Sequence, residues 1–248
     1  MTEGLSGKRA LVTGAAGVLG SAVSEALVAD GLQVVLADIA ADRLEAEAAR
    51  LGPAAHPLVL DVGDPQAVAA ACAGIRADLG DVDVLVNNAG ILSNNKAAET
   101  APEEWRRLMA INLDGAFYLA REWLPAMKAR GWGRIVNICS LASKTGGLTA
   151  GTAYTTSKGG MTALTLSLAR ESAADGVTVN GIAPAYIKTP MVTEQLSEAQ
   201  RQKLLSEIPV GRFCDAEEVA HVVRFLVSPL SGFITGEIVD INGGLHMD

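Results

Sequence analysis

Hydrophobic residues along this chain fall into two kinds of stretch that alternate. The first kind is short and continuous: KRALVT (8–13), QVVLAD (33–38), HPLVLDV (56–62), DVLVNN (83–88), GRIVNICS (133–140), VTVNGIA (177–183) and GEIVDI (236–241). Runs of this length, rich in Val, Ile and Leu and bounded by Gly, Asp or Asn, predict strands covered on both faces. The second kind spaces its apolar residues three and four apart, as a helix does. It covers 18–29, closed by Asp30-Gly31, then 42–52 with a terminal glycine, and Pro65 to Leu79. A longer one runs from Thr100-Ala-Pro-Glu103 to Arg130, where a capping-box pair and a first-turn proline predict the start. Ser197-Glu-Ala-Gln200 and Asp215-Ala-Glu-Glu218 carry a similar start signal, the second for a helix reaching Val227. Alternation with short links predicts an α/β fold, a doubly wound parallel sheet of about seven strands with helices on both faces. No repeat, charge block or low-complexity tract divides residues 1–248, so a single domain is expected.

Composition sharpens this picture. Hydrophobic residues make up 49% of the chain but aromatic ones only 4%, so the core must be built from Ala, Val, Leu and Ile. Trp105, Trp123 and Trp132 read as helix or loop packing. A net charge of −8 offers no basic surface for nucleic acid or an anionic membrane. Cys72, Cys139 and Cys214 are odd in number and lack metal-ligand spacing, which predicts reduced thiols. His56, His221 and His246 lie far apart in sequence, so no metal site is expected. MTEGLSGKRA lacks the apolar core of a signal peptide, and no uncharged apolar run reaches the roughly 18 residues of a spanning helix. A cytoplasmic protein is expected.

Candidate chemistry concentrates in SLASKTGGLTAGTAYTTSK (140–158). Tyr154 and Lys158 are i and i+4 at the head of a helical run, so they share a face. An ammonium near a phenol favours the phenolate, and the pair could exchange a proton with a substrate oxygen. Ser140, ending the fifth apolar run, is placed to hydrogen-bond the same oxygen. A second signal is the turn GAAGVLG, with Gly14, Gly17 and Gly20 between the first strand and the first helix. Glycines there let backbone amides approach a pyrophosphate at a helix N-terminus, although the spacing departs from G-x-G-x-x-G. Asp38 ends the second strand. It reads either as the acceptor for ribose hydroxyls or as the N-cap of the helix near residue 42.

Taken together these pieces resemble the short-chain dehydrogenase/reductase family over nearly the whole chain. The matching residues are Thr13-Gly14…Gly20, Asp61-Val62, Asn87-Asn88-Ala89-Gly90, Asn112, Ser140, Tyr154-x-x-x-Lys158, Pro184 with Thr189, and Asn242-Gly243-Gly244. The resemblance implies a Rossmann-type fold with a cofactor half to about residue 135. A catalytic and substrate half follows from 136, with a lid over 184–212. It implies Tyr154 as general acid/base, Lys158 lowering the phenol's pKa and holding the nicotinamide ribose, Ser140 orienting the substrate carbonyl, and Asn112 holding a water in a proton relay. The cofactor would lie along Gly14, Gly17, Val18, Leu19, Gly20, Asp38, Ile39, Asp61, Val62, Asn88, Ala89, Gly90, Tyr154, Lys158, Pro184, Ile187 and Thr189. Substrate would meet Ser140, Leu148, Tyr154, Tyr186 and Met191.

Three positions depart from the family pattern. Val18 stands where the phosphate turn usually has its middle glycine, the Ser140–Tyr154 segment is one residue longer than is common, and Ala185 replaces a glycine after Pro184. The reading that follows is an NAD(H)-dependent oxidoreductase interconverting a small-molecule ketone and secondary alcohol. Asp38, with no basic residue at 15, 16, 39 or 40, argues against a 2′-phosphate and so against NADP. GWGRIVNICS, YIKTPMV and NGGLHM are similar to acetoacetyl-CoA reductases, which keeps a 3-oxoacyl-thioester reductase open, the acyl group carried by coenzyme A or acyl carrier protein. Asp175 stands where carrier-protein reductases tend to have a basic residue. A non-catalytic dinucleotide-binding scaffold is the third reading. Apolar residues in the helices near 103–130 and 152–173 exceed what one sheet face covers, and with the resemblance this implies a homotetramer.

Overall fold

A computed structural model describes residues 4–189 and 197–247. Each apolar run overlaps a strand: β1 Arg9–Thr13, β2 Gln33–Asp38, β3 Ala55–Val59, β4 Val84–Asn87, β5 Gly133–Ile138, β6 Val177–Pro184 and β7 Ile238–Ile241. They pair in parallel in the order β3-β2-β1-β4-β5-β6-β7, so the chain reverses direction across the sheet between β1 and β4. Ligands in such sheets gather at the carboxyl ends of the strands beside that reversal. The helices are α1 Val18–Ala29, α2 Ala41–Leu51, α3 Pro65–Asp78, α4 Pro102–Met109, α5 Gly115–Ala129, α6 Ala142–Thr145, α7 Thr152–Ser172, α8 Glu198–Glu207 and α9 Ala216–Val227.

The continuous apolar runs make sense once both faces are counted. Side chains alternate along a strand, so Val34 and Leu36 enter one core while Val35 and Ala37 enter the other. The first core is closed by α1, α2 and α9 through Val23, Leu27, Leu44, Val219 and Leu226. The second is closed by α3, α5 and α7 through Val68, Leu119, Trp123, Met127 and Leu168. Fully buried aliphatics such as Leu27 and Leu36 each stabilise the fold by about 2 kcal/mol. Trp123 is fully buried in the second core, as expected of a packing residue, and Arg76 lies over its ring. Among the described residues, no helix is long and apolar enough to cross a membrane.

Several expected boundaries shift. The long helix is interrupted by a π turn over Ala110–Asp114, which separates α4 from α5. A single wide turn of this kind adds a residue to the helix and re-aims the side chains that follow. It ends against Gly115, where a Cβ would stand 2.8 Å from the Val62 carbonyl oxygen. Thr100 does not cap α4. Its hydroxyl donates to Asn95 O and Lys96 O instead, and Ala101 is the capping residue. β5 stops at Ile138, so Ser140 lies beyond the strand, in the turn that leads into the unforeseen short helix α6. β7 begins two positions late because Gly236 sits in the left-handed region with φ +77°. The Asp215 signal holds, with the Glu218 carboxylate accepting from the Asp215 N–H at 3.0 Å.

Candidate active site

Thr13 is the pivot between the first strand and the fourth. Its buried hydroxyl accepts from the N–H groups of Asn88, at 3.0 Å, and Ala89, at 2.9 Å, while Asn88 Nδ2 donates back to Thr13 O and Gly14 O. The glycine turn is thereby fastened to the Asn88-Ala89-Gly90 segment across the point where the sheet reverses. Gly14 has φ +66°, and a Cβ there would stand 2.9 Å from Asn88 Nδ2. A Cβ at Gly20 would lie 2.1 Å from Gly14 O, so both positions require glycine. Gly17 is the N-cap of α1, with Val18 and Leu19 as its first helical residues. Their amides have no carbonyl partner within the helix, no side chain caps them and no acidic residue occupies the first turn. Val18 is half exposed at the same place, a branched side chain beside the turn.

Asp38 leaves β2 pointing at this turn. One carboxylate oxygen accepts from Ala16 N and the other from Ala40 N, both at 3.1 Å. It is not the cap of α2, whose N-cap is Ala40. Among the described residues no cation pairs with Asp38. Ile39 beside it is exposed, as is Asp61, which accepts from Gly63 N at 2.9 Å. Val62 packs inside against Gly115.

The second half of the site is assembled around Lys158. Its ammonium is buried, 4% exposed, and donates to the Ile138 carbonyl at 2.6 Å. Burial pushes its pKa down to about 8, with the neighbouring Cys139 thiol acting weakly in the other direction. Only one of three N–H donors has a protein acceptor among the described residues, which suits a site that also meets hydroxyl oxygens. Gly90 borders both Lys158 and Asn112, its notional Cβ 3.6 Å from the ammonium and 3.4 Å from Asn112 Oδ1. Asn112, fully buried in the π turn, accepts from Ile91 N at 2.8 Å and donates to Ile91 O and Ser157 Oγ. The wide turn is what brings this amide against residue 91.

Tyr154 departs from expectation in its charge state. Burial pushes the phenol above its usual value, and the Ser140 hydroxyl, hydrogen-bonded to it, pulls only partly back. Lys158 Nζ lies 6.0 Å from the centre of the Tyr154 ring and is engaged with Ile138, so in this arrangement it does not bring the phenol down. Tyr154, Ser140, Leu148, Tyr186, Ile187 and Thr189 share the wall of one cavity of about 200 Å³. Met191 lies outside the described residues. The sequence reading missed other wall residues, among them Leu92, Thr145, Thr149 and Ala150. Nothing in their spacing marks them, since Thr145 ends the short helix α6 and the others sit on loops whose course depends on tertiary contacts. Pro184 ends β6, its carbonyl accepting from Leu141 N. Among the described residues, no three His, Cys, Asp or Glu side chains stand together to hold a metal ion.

Comparison with known proteins places this geometry in context. A family model described as enoyl-(acyl carrier protein) reductase matches residues 14–246. The chain is 40% identical over 242 residues to the 3-oxoacyl-(acyl-carrier-protein) reductase FabG of Escherichia coli K12, covering 97% of this chain and 98% of the relative. It is 39% identical over 243 residues to the protein of the same description from Haemophilus influenzae, covering 98% of this chain and 100% of the relative. A crystal structure from Brucella melitensis, described as a short-chain dehydrogenase/reductase of the glucose/ribitol dehydrogenase type, superposes with a TM-score of 0.91. The identity there is 34%, over 98% of both chains.

The buried ammonium predicts a measurable trade between stability and function. Because the folded-state pKa of Lys158 lies below its ordinary value, the unfolded chain holds more protons between pH 8 and pH 10.5. Its penalty is therefore fully present below about pH 8 and fades as pH rises toward 10.5. Lys158→Met should unfold at higher denaturant than the wild type at pH 7, by about 1–3 kcal/mol, with the gap closing toward pH 10. Coincident unfolding curves at both pH values would show that the ammonium carries no such burden.

Proposed function

The chain belongs to the short-chain dehydrogenase/reductase family and is an oxidoreductase, and from that premise we propose that it interconverts a small ketone and secondary alcohol with NAD(H). The observation that carries this reading is the convergence of Ser140 and Tyr154 on one cavity whose described walls hold no charged side chain. Bound in the groove, the cofactor would supply or accept hydride at the substrate carbon. The residues that would hold it are the first-turn amides of Val18, Leu19 and Gly20, the Asp38 carboxylate, the Asn88-Ala89-Gly90 segment and Lys158. The open helix terminus suits phosphate, and the under-partnered ammonium suits ribose hydroxyls.

In the reducing direction, Ser140 donates a hydrogen bond to the substrate oxygen and fixes its position. Tyr154 gives its proton to that oxygen. Burial raises the phenol's pKa, so the tyrosine holds the proton that reduction consumes but parts with it less readily than a free phenol would. Lys158 lies behind the tyrosine, where its ammonium would meet the cofactor's ribose hydroxyls. Asn112 holds the 91 loop and Ser157 in place. Both Asn112 amide hydrogens are engaged, so a relay water would meet this side chain only as a donor to Oδ1, which already accepts from Ile91 N.

A second reading has specific support. Curated relatives at about 40% identity are described as 3-oxoacyl-(acyl-carrier-protein) reductases, and their substrates also present a ketone. Against a carrier-borne substrate stands the Asp175 position, where the carboxylate faces Lys128 at 2.9 Å and neutralises it. Arg130 nearby is likewise paired, with Asp81 and Asp83. We also propose a homotetramer, supported by exposed Phe117 and Leu166 on one side and Phe225, Leu230 and Phe233 on another. Light scattering should give the mass of four chains, and a stable monomer at micromolar concentration would remove this part of the reading.

Two measurements test the catalytic assignment. Tyr154→Phe should lower kcat by about 10²–10⁴-fold while NADH still binds. Ser140→Ala should follow it, and near-wild-type turnover in Tyr154→Phe would refute the acid/base role. For the cofactor, a 2′-phosphate beside the Asp38 carboxylate meets like-charge repulsion of a few kcal/mol at an effective dielectric near 20. The ratio of kcat/KM for NADH over NADPH on one ketone should then be about a hundredfold or more. An NADPH preference would move the acyl-thioester reading ahead.

A further inference from the structure

The wall of the candidate substrate cavity formed by residues 147–150 is the least self-supporting part of the site. Gly146 and Gly147 both lie in the left-handed region, at φ +77° and +80°. Leu148 lines the cavity yet is 61% exposed, so burial does little to hold it. It lies within the Ser140–Tyr154 stretch, which the family resemblance reads as one residue longer than is common, and it runs straight into Gly151, the N-cap of α7, three residues before Tyr154.

What restrains it comes from the loop after β4. Lys96 Nζ donates to Ala150 O at 2.7 Å and to Gly147 O at 3.4 Å, joining the two ends of the wall through one ammonium. Beside it, Gly151 N donates to Ser93 O at 2.8 Å and Thr152 N to Asn95 O at 3.1 Å. The Lys96 loop is itself anchored to α4. The Glu104 carboxylate takes the Ser93 hydroxyl and Asn95 Nδ2, and Thr100 ties down the Lys96 carbonyl. The charge has an unusual setting: among the described residues the Lys96 ammonium makes no ion pair and donates to carbonyl oxygens alone, while only the backbone N–H of Lys96 meets a carboxylate, that of Glu99. Hydrogen bonds from a charged donor are about twice as strong as neutral ones, and a carboxylate partner would compete for them.

We propose that Lys96 is a positioning residue that sets the width of the substrate cavity by clamping the 147–150 wall. The proposal rests on reading that cavity as the substrate site. The ammonium touches neither the reacting atoms nor Tyr154. It acts by fixing where Leu148 and Ala150 stand, and so decides how large a group fits opposite Ser140. Lysine suits the task because one flexible donor can serve two carbonyls that face different ways.

Amide exchange and kinetics on the full-length protein test this together. In Lys96→Met, exchange at residues 147–150 should accelerate by about tenfold or more while β-strand amides are unchanged. KM for a small ketone should rise about tenfold with kcat within about threefold, and discrimination between small and bulky ketones should shrink. Lys96→Arg should recover part of both effects. Unchanged exchange in Lys96→Met overturns the clamp, as does a fall in kcat that follows lost thermal stability with KM and size preference intact. A wild-type protein that reduces no ketone with either NADH or NADPH would sink the reading of the cavity instead. The exchange arm would still decide whether Lys96 holds the wall.

Discussion

A cation placed between packed strands and helices is costly, by several kcal/mol, unless acceptors surround it. Among the described residues Lys158 has one protein acceptor, the Ile138 carbonyl, and the surroundings follow from that need. β5 has to end at Ile138 so that its last carbonyl turns toward the ammonium rather than completing another sheet bond. Gly90 borders the ammonium, where a Cβ would stand in ordinary contact with it at 3.6 Å. The helix through Asn112 has to widen by a residue so that its amide can pin the 91 loop alongside. Each of these is a local departure from regular structure, and all of them lie around one buried nitrogen.

The sheet makes this arrangement possible by gathering strand ends. Thr13, Asp38, Asn87, Ile138 and Pro184 terminate five parallel strands at the same edge. Residues far apart in sequence therefore come within reach without long loops. The connection is polar as well as apolar. The Thr13 hydroxyl links the two strands that flank the reversal, and Asn87 Nδ2 reaches Asn137 Oδ1 at 2.8 Å between β4 and β5. Asn137 in turn donates to Thr165 on α7, the helix of Tyr154 and Lys158. Such buried amide chains are costly when broken and so tend to fix one geometry.

Much of this was legible in the residues, for physical reasons. Strands covered on both faces need continuous apolar runs, and the seven runs appear without interruption, so topology class and the order of elements follow. Tyr154 and Lys158 were readable because helical spacing alone puts them on one face. The phosphate turn was readable because glycines are needed where backbone approaches backbone, as at Gly14 and Gly20. Other features were hidden. The π turn depends on the fit between Gly115 and Val62, and no local propensity announces it. Thr100 carried a capping signal that tertiary contact redirected, its hydroxyl satisfying the Lys96 carbonyl instead. The phenol's raised pKa reflects burial depth, which a spacing of four residues does not encode. Nothing in the sequence singles out Lys96, because its carbonyl partners lie more than fifty positions away.

The ammonium near the end of β5 also ties the candidate site to the acidity of its surroundings. Its pKa, pushed down to about 8 by burial, makes it a cation in neutral solution and a neutral amine in moderately alkaline solution. Any reaction at the neighbouring cavity would therefore meet a different electrostatic field on either side of that pH, a difference set by the depth of one side chain beneath the sheet edge.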